Sequence, residues 1–479
     1  MDTKRIYKKI MMIKGVKIYL SLCILLISLV VNAQSDSLTL SYKEYINMIS
    51  QHHPLAKKAN LKLDFAKAEW MSAKGNLDPV ITSGLNQKKF NDKLYYRKLQ
   101  GNLKIPTRLG IDIVGGYENS EGIYLNPEHK TDEFGLWHFG VEMNVLQGLI
   151  VNERRVAIQK AKIVRKLSEN ERQLMLNELY YSATVTYLKW QQYYFYKKII
   201  SENINIAKTY HENTKQSYLG GEKTSIDTLE AYMIHQDALM LFQKNEISLI
   251  KAKQNIENYL WDNENPVDLN PVAEPENFSN PIFEIQSDLT VTNLVDNHPI
   301  ILASVNKQSN LELDQKLKRE KLKPKLKLKY NPLLSTNGNE FSATYSRDNF
   351  KWGFEFSMPL FLRSERASVR KGKIKIEETT LDIETKRTNL KNKLEGSQQQ
   401  LVLLREQLVL LEKNVKGYKI LLDGENEKFK YGESSVFLLN KRQEKYINGQ
   451  LKLVGLNTKL HVELLNYLYY SNGLIEKTE

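Results

Sequence analysis

Cysteine is nearly absent, proline is missing from two long stretches, and past the first residues there is no extended apolar run. Cys23 is the only cysteine in 479 residues. It stands inside the N-terminal apolar stretch, so a chain processed after it has no disulfide, no cysteine-bound metal and no thiol chemistry. A lipid-attachment signal would place a small residue before the cysteine and end the apolar run there. Here Leu22 precedes Cys23 and Ile24-Leu25-Leu26 follow it, which argues against lipidation. Of the twelve prolines, none lies between 128 and 265 and none between 360 and 479. Proline breaks helix interiors, so both stretches are open to very long helices. Beyond Val31 no segment approaches the roughly 20 apolar residues that a spanning helix needs. Any membrane crossing by the rest of the chain must therefore use strands. No GxSxG, HExxH or phosphate-cradling glycine loop occurs, and no carboxylate pair stands out as an acid/base couple. No enzyme class is indicated and no cofactor is expected. The pair His52-His53 sits beside a helix start and reads as a cap, while His235 and His461 read as isolated surface or packing residues. No metal site is expected.

Hydrophobic residues make up 41% of the chain and charged residues 26%, which excludes both a disordered chain and a helical membrane bundle. Lys4, Arg5, Lys8, Lys9, Lys14 and Lys17 precede an apolar core from Tyr19 to Val31, and Val31-Asn32-Ala33 forms a small-residue cleavage site. Residues 1–33 read as a signal peptide; the alternative, a membrane anchor, would call for a longer apolar run. Those six basic residues and Asp2 account for +5 of the net charge of +13, leaving +8 for residues 34–479. Lysine and arginine interleave with acids along helical segments, the pattern of solvated faces, and no nucleic-acid partner is expected.

Leu394, Leu401, Leu404, Leu408, Leu411, Val415, Tyr418 and Leu422 form a heptad seam, as in helices that pack as coiled coils. Arg155 to Tyr218 is similar and rich in aromatics, among them Tyr180, Tyr187, Trp190, Tyr193 and Tyr194. A helix of some 60 residues runs about 90 Å, a length suited to a tube or a rod. Other segments alternate with period two. Lysine alternates with Leu326, Leu328 and Tyr330; Trp352, Phe354, Phe356 and Met358 alternate with small or polar residues; so do Phe139, Val141, Met143 and Val145. Leu99, Leu103 and Ile105 share a face opposite Gln100, Asn102 and Lys104, and Leu109, Ile111 and Ile113 follow. One greasy and one charged face suits strands between lipid and a watery lumen. A soluble sheet packed on helices has the same alternation; the export signal and the aromatic ends Tyr95, Tyr96, Trp137 and Trp352 favour the barrel.

The order short helix, strands, long helix, glycine turn, helix occurs twice. His53-Pro54-Leu55 opens the first copy and Asn297-His298-Pro299-Ile300 the second. Gly140 and Gly353 close the strand regions. Tyr218-x-x-Gly221-Glu222-x-Thr224 ends one long helix, and Phe429-x-x-Gly432-Glu433-x-Ser435 the other. Gly221 and Gly432 stand 211 apart and Gly140 and Gly353 213, but Pro54 and Pro299 stand 245 apart. The surplus of 32 falls before Gly140, in an extra hairpin or long external loop between Lys88 and Lys130. The expected organisation is a first repeat over 34–262, with strands at about 78–146 and a helical hairpin at 152–262. A linker or small middle subdomain follows at 263–285. The second repeat covers 286–479, with strands at about 324–361 and a hairpin at 364–475.

These residues resemble the TolC family of outer-membrane efflux proteins over nearly all of Leu38 to Leu474. The resemblance is carried by Pro54 and Pro299, Gly140 and Gly353, Gly221 and Gly432, and the strand-to-helix entries Asn152-Glu153-Arg154-Arg155 and Ser364-Glu365-Arg366. It implies a mainly α chain with a membrane β-barrel portion. Long antiparallel coiled-coil helices would form an α-barrel tunnel across the periplasm, and the strands would share one porin-like barrel in the outer membrane of a Gram-negative bacterium. The implied partners are two further copies in a homotrimer, outer-membrane lipid, a periplasmic adaptor and an inner-membrane pump. The implied role is a passive conduit for efflux or type I secretion. Oligomerisation also follows from physics, because two to six strands per chain cannot close a membrane barrel.

The resemblance further implies that the helix tips at Gly220, Gly221, Glu222, Thr224, Gly432, Glu433, Ser434 and Ser435 dock the adaptor. Glycine there allows a left-handed turn, with Thr224 or Ser225, and Ser434 or Ser435, capping the returning helix. Turn chemistry alone accounts for these residues as well. Well-known family members close the tunnel with a tyrosine, a basic residue and two acids; the matching positions Phe429, Ser434, Leu438 and Lys441 lack that network. The first copy offers Tyr218, Lys223, Asp227 and Glu230 instead, with Asp423 and Glu425 nearby in the second, as a constriction of the periplasmic entrance. A solvated charged face is the competing reading. The alternative function is a periplasmic coiled-coil adaptor or scaffold without lipid-facing strands. The sequence does not name the cargo.

Overall fold

The computed structural model describes residues 39–277, 290–336 and 343–475. The expected signal peptide, the end of the expected linker and the last four residues lie outside them. The elements, in chain order, are α1 (Tyr42–His52), α2 (Pro54–Gly75), β1 (Val80–Phe90), β2 (Lys93–Pro106), β3 (Ile111–Glu121), β4 (Leu136–Asn144), α3 (Glu153–Leu219) and α4 (Ser225–Glu257). After short extended pieces come α5 (Val291–Asp296), α6 (Pro299–Glu320), β5 (Lys325–Thr336), β6 (Ala343–Ser357), α7 (Arg363–Lys430) and α8 (Val436–Ser471). The proline-free stretches hold the longest helices, α3 with 67 residues and α7 with 68. Contacts divide the chain into two units. Of the described residues, one takes in 39–49, 185–277 and 413–458; the other takes in 50–184, 290–336, 343–412 and 459–475.

The second unit holds the sheet. Six antiparallel strands lie in the order β6-β5-β4-β3-β2-β1, so β1 and β6 are its edges. Among the described residues of the sheet, four strands precede α3 and two lie between α6 and α7, and β2 and β3 fall within the Lys88 to Lys130 stretch. The β1–β2 turn is Asn91-Asp92, both with positive φ (48° and 58°), as a two-residue primed turn requires. At Gly140, a Cβ would run into the Tyr330 carbonyl and the Asn331 side chain on β5, so only glycine lets these strands meet. Leu109, expected in the alternation, instead stands exposed in the β2–β3 turn beside Gly110, whose φ is +77°.

Two helices of this unit start alike. His53 and His298 have the same backbone angles, φ −66° and ψ 132°, followed by proline at the first helical position. Each accepts at Nδ1 from the N–H two residues on, Leu55 or Ile300, at 3.1 Å. Asn152 caps α3 by accepting from the Arg155 N–H at 2.8 Å. Ala73, Ile158 and Ala161 pack with Trp70 and Leu77, and Lys160 reaches Asp314 at 2.5 Å. Between α7 and α8, the Ser397 hydroxyl donates to the buried Glu463 carboxylate at 2.5 Å, and Asn466 donates to its other oxygen at 2.9 Å.

The first unit has an aromatic core. Tyr187 packs against Tyr42, Tyr45 and Trp190 with ring centroids 5.4 to 5.7 Å apart. Its hydroxyl donates to the Leu40 carbonyl at 2.8 Å and accepts from the Glu276 N–H at 3.1 Å. Those bonds tie down a short parallel ladder between Thr39–Leu40 and Glu274–Pro275. The described part of the expected linker thus carries ladder pairing and buried residues, among them Leu269 and Ala273. Asn245 donates to the Tyr193 carbonyl, and Gln443 to Asn203.

Candidate functional site

Strand alternation divides the sheet into two unlike faces. One carries Ile81 and Leu85 on β1, Leu99 and Leu103 on β2, Ile113 on β3, Phe139 and Val141 on β4, Leu328 and Tyr330 on β5, and Trp352, Phe354 and Phe356 on β6. All of these are exposed, with Trp352 at 66%, Phe354 at 64% and Ile81 at 79%. A face this wide and this apolar is not left in water by soluble monomers. The opposite face carries Lys88 on β1, Lys98 and Lys104 on β2, Asp112 and Glu118 on β3, and His138 and Glu142 on β4. Lys325, Lys327 and Lys329 continue it on β5, and Lys351 and Glu355 on β6. These side chains reach each other across strands. Lys104 lies 2.9 Å from Asp112 and 3.1 Å from Glu142, and Lys327 lies 2.7 Å from Glu142. Arg154, in the first turn of α3, pairs with Asp112 at 2.5 Å, and Lys351 with Glu118 at 2.8 Å. Arg154 thus ties the helix entry to the charged face of the sheet. Among the described residues no helix is long and apolar enough to cross a membrane.

The helix tips belong to the other unit. The α3 end is a Schellman turn. The Glu222 N–H donates to the Ser217 carbonyl at 2.9 Å, the Gly221 N–H to the Tyr218 carbonyl at 3.0 Å, and Gly221 has φ +78°. The α7 end repeats it. Glu433 donates to Lys428 at 2.9 Å, Gly432 to Phe429 at 3.1 Å, and Gly432 has φ +76°. Thr224 caps α4 in a reciprocal box with Asp227. The Thr224 hydroxyl and N–H donate to the carboxylate at 2.7 and 2.9 Å, and the Asp227 N–H returns a bond to the hydroxyl at 3.2 Å. Those Thr224 bonds, backbone first, hold the Asp227 carboxyl below its ordinary range.

At the second tip Ser435 does the capping, accepting from the Leu438 N–H at 3.3 Å. Ser434 instead donates to Glu425 at 2.5 Å, and Arg442 approaches the same carboxylate at 3.5 Å. The Ser434 hydroxyl contributes most to lowering the Glu425 carboxyl, and Arg442 adds to it, against the opposing cost of desolvation. Asp423 pairs with Lys419 at 2.8 Å. The Lys223 ammonium sits 5.4 Å from the centre of the Phe429 ring, which brings the two tips together. Tyr218 is exposed, and Glu230 stands one helical turn beyond Asp227.

Sequence reading did not find the Glu425–Ser434–Arg442 cluster or the Lys223–Phe429 contact. Both depend on helices pairing, and spacing along one helix does not show that. His235 is not isolated. It stacks on His211 of α3 with centroids 6.4 Å apart, beside Tyr232. Among the described residues there is no group of three or more His, Cys, Asp or Glu suited to a metal ion.

No protein-family model and no curated protein sequence matches the chain. Solved structures do. The Campylobacter jejuni CmeC outer membrane channel superposes with a TM-score of 0.66 at 12% identity, over 91% of this chain and 89% of that one. The Vibrio cholerae outer membrane protein VceC gives 0.64 at 13%, over 90% and 95%. CusC, described in terms of transmembrane channel formation, gives 0.65 at 13%, over 90% and 91%. At this identity the likeness is one of fold, and the chain has the fold of outer-membrane channel proteins of the TolC type.

Proposed function

We propose that the chain is one subunit of an outer-membrane efflux or secretion channel in a Gram-negative bacterium, a passive conduit and not an enzyme. The two-faced sheet carries this reading: an exposed apolar face backs a face of paired charges, as lipid on one side and water on the other demand. The sheet also has two edges, β1 and β6. An open edge in lipid leaves backbone groups without partners at several kcal/mol each, so copies of the chain join edge to edge. Three copies of a six-stranded sheet close a barrel with a water-filled lumen. The matching helix caps at His53 and His298 and the matching Schellman turns support an internally duplicated chain whose long helices line a periplasmic tunnel.

The tips at Gly220, Gly221, Glu222 and Thr224, and at Gly432, Glu433, Ser434 and Ser435, dock a periplasmic adaptor that recruits an inner-membrane pump. Leu219, Ile226, Tyr431 and Phe437 are exposed around these turns and supply apolar docking surface. Tyr218, Lys223, Asp227 and Glu230 narrow the periplasmic entrance.

The test is fractionation of the full chain expressed in a Gram-negative host. A subunit of this kind sediments with outer membranes, needs detergent, and runs as a heat-sensitive trimer on gels. A water-soluble monomer would favour the scaffold reading and end this one.

A further inference from the structure

We propose that the barrel lumen selects for anions and that β5 is its selecting strand. The inference rests on the conduit reading, which makes the charged face of the sheet the face that lines the pore. Among the described residues of that face, Lys88, Lys98, Lys104, Lys325, Lys327, Lys329 and Lys351 oppose Asp112, Glu118, Glu142 and Glu355, a surplus of three positive charges. The surplus survives pairing. Lys104, Lys327 and Arg154 surround the two carboxylates Asp112 and Glu142, so the network itself stays positive. Lys351 is matched by Glu118. Lys325 and Lys329 flank Lys327 on the same strand face, and among the described residues no carboxylate lies within ion-pair distance of either.

Fixed charge in a narrow aqueous lumen with low-dielectric walls concentrates counter-ions and excludes ions of its own sign. Symmetry multiplies the effect, because each lysine of β5 recurs once per copy and forms a ring. The solutes favoured are therefore small anions and molecules bearing carboxylate, phosphate or sulfonate groups.

The experiment is ion selectivity of the purified full chain in a planar lipid bilayer under a tenfold potassium chloride gradient. Chloride is expected to permeate more readily than potassium. The Lys325→Gln/Lys329→Gln double variant should lower the chloride-to-potassium ratio by roughly two-fold or more, and Glu355→Gln should raise it. Opposite shifts from two variants on one sheet separate a charge effect from damage to the fold. The preference should also fade in 1 M salt, where the screening length is about 3 Å. A wild-type channel that prefers potassium, as acids at the entrance would produce, overturns the proposal and leaves the conduit standing. So does a ratio that neither variant moves. Absence of any current from inserted protein overturns the conduit reading itself, and the proposal with it.

Discussion

At the start of α6, His298 keeps one nitrogen for the Ile300 N–H and is almost wholly buried. Burial pushes its pKa from 6.5 down to about 4. An unfolded chain takes up a proton at this residue as pH falls through 6.5, while the folded chain does not until about 4. Stability at this site is therefore full above 6.5, falls as pH drops from 6.5 to 4, and falls no further below that. The ceiling on the loss is about 3 kcal/mol. Asparagine keeps a cap acceptor without the titration. Thermal melting of His298→Asn in detergent should lose much of the acid sensitivity between pH 6.5 and 4; an unchanged pH profile would refute the assignment. Asp227 offers a second test at this scale, because its carboxylate serves the Thr224 cap and stands in the proposed entrance. Asp227→Asn keeps an acceptor and should leave the melting midpoint nearly unchanged, while Asp227→Ala removes the reciprocal half of the Thr224 box and should lower it. If the charge narrows the entrance, both variants should raise single-channel conductance. A rise confined to the alanine variant would assign the residue to capping alone.

Elements are where the sequence was most legible, and particular residues show why. Lysine alternating with Leu326, Leu328 and Tyr330 lies within β5, since period two leaves a strand as the conformation with one apolar face. The heptad from Leu394 to Leu422 lies within α7, where no proline interrupts the helix. The Gly-Glu-x-Thr and Gly-Glu-x-Ser signals stand at left-handed turns, because glycine carries little penalty at positive φ. Less legible were contacts between elements. Nothing in the local pattern pairs Ser397 with Glu463, which are 66 residues apart. Removing that hydroxyl leaves a buried carboxylate short of a donor, so Ser397→Ala should destabilise by about 1–3 kcal/mol, read from the melting midpoint. On the apolar face of β6, Trp352→Arg should cost up to about 2–4 kcal/mol in lipid if it lies near the membrane midplane. The same change would be nearly neutral on a sheet exposed to water, so a neutral outcome counts against burial in lipid.

At the scale of the whole molecule the question is what meets β1 and β6. Residues 34–479 contain no cysteine, so a single pair can be introduced cleanly. Cysteines scanned along β1 near Leu85 and along β6 near Phe354 should cross-link between copies and yield trimers on denaturing gels. Cross-linking within one chain, or none at any register, would argue against a shared barrel. Strand number per chain needed the structure. The alternation placed strands on both sides of the first long helix, but only pairing registers count six and put β4 beside β5 across the intervening helices.

The sequence by itself determined the kinds of element and their order. Proline distribution, heptads, period-two runs and turn glycines are local constraints that act on backbone torsions and on one face at a time. The tertiary structure decided which faces and charges meet. It spent Asp227 on a cap, bound Glu425 with Ser434 and Arg442, stacked His235 on His211, and gathered a lysine-rich surface from strands on both sides of a 67-residue helix. Those outcomes depend on distances between segments far apart in the chain, and no local period encodes them.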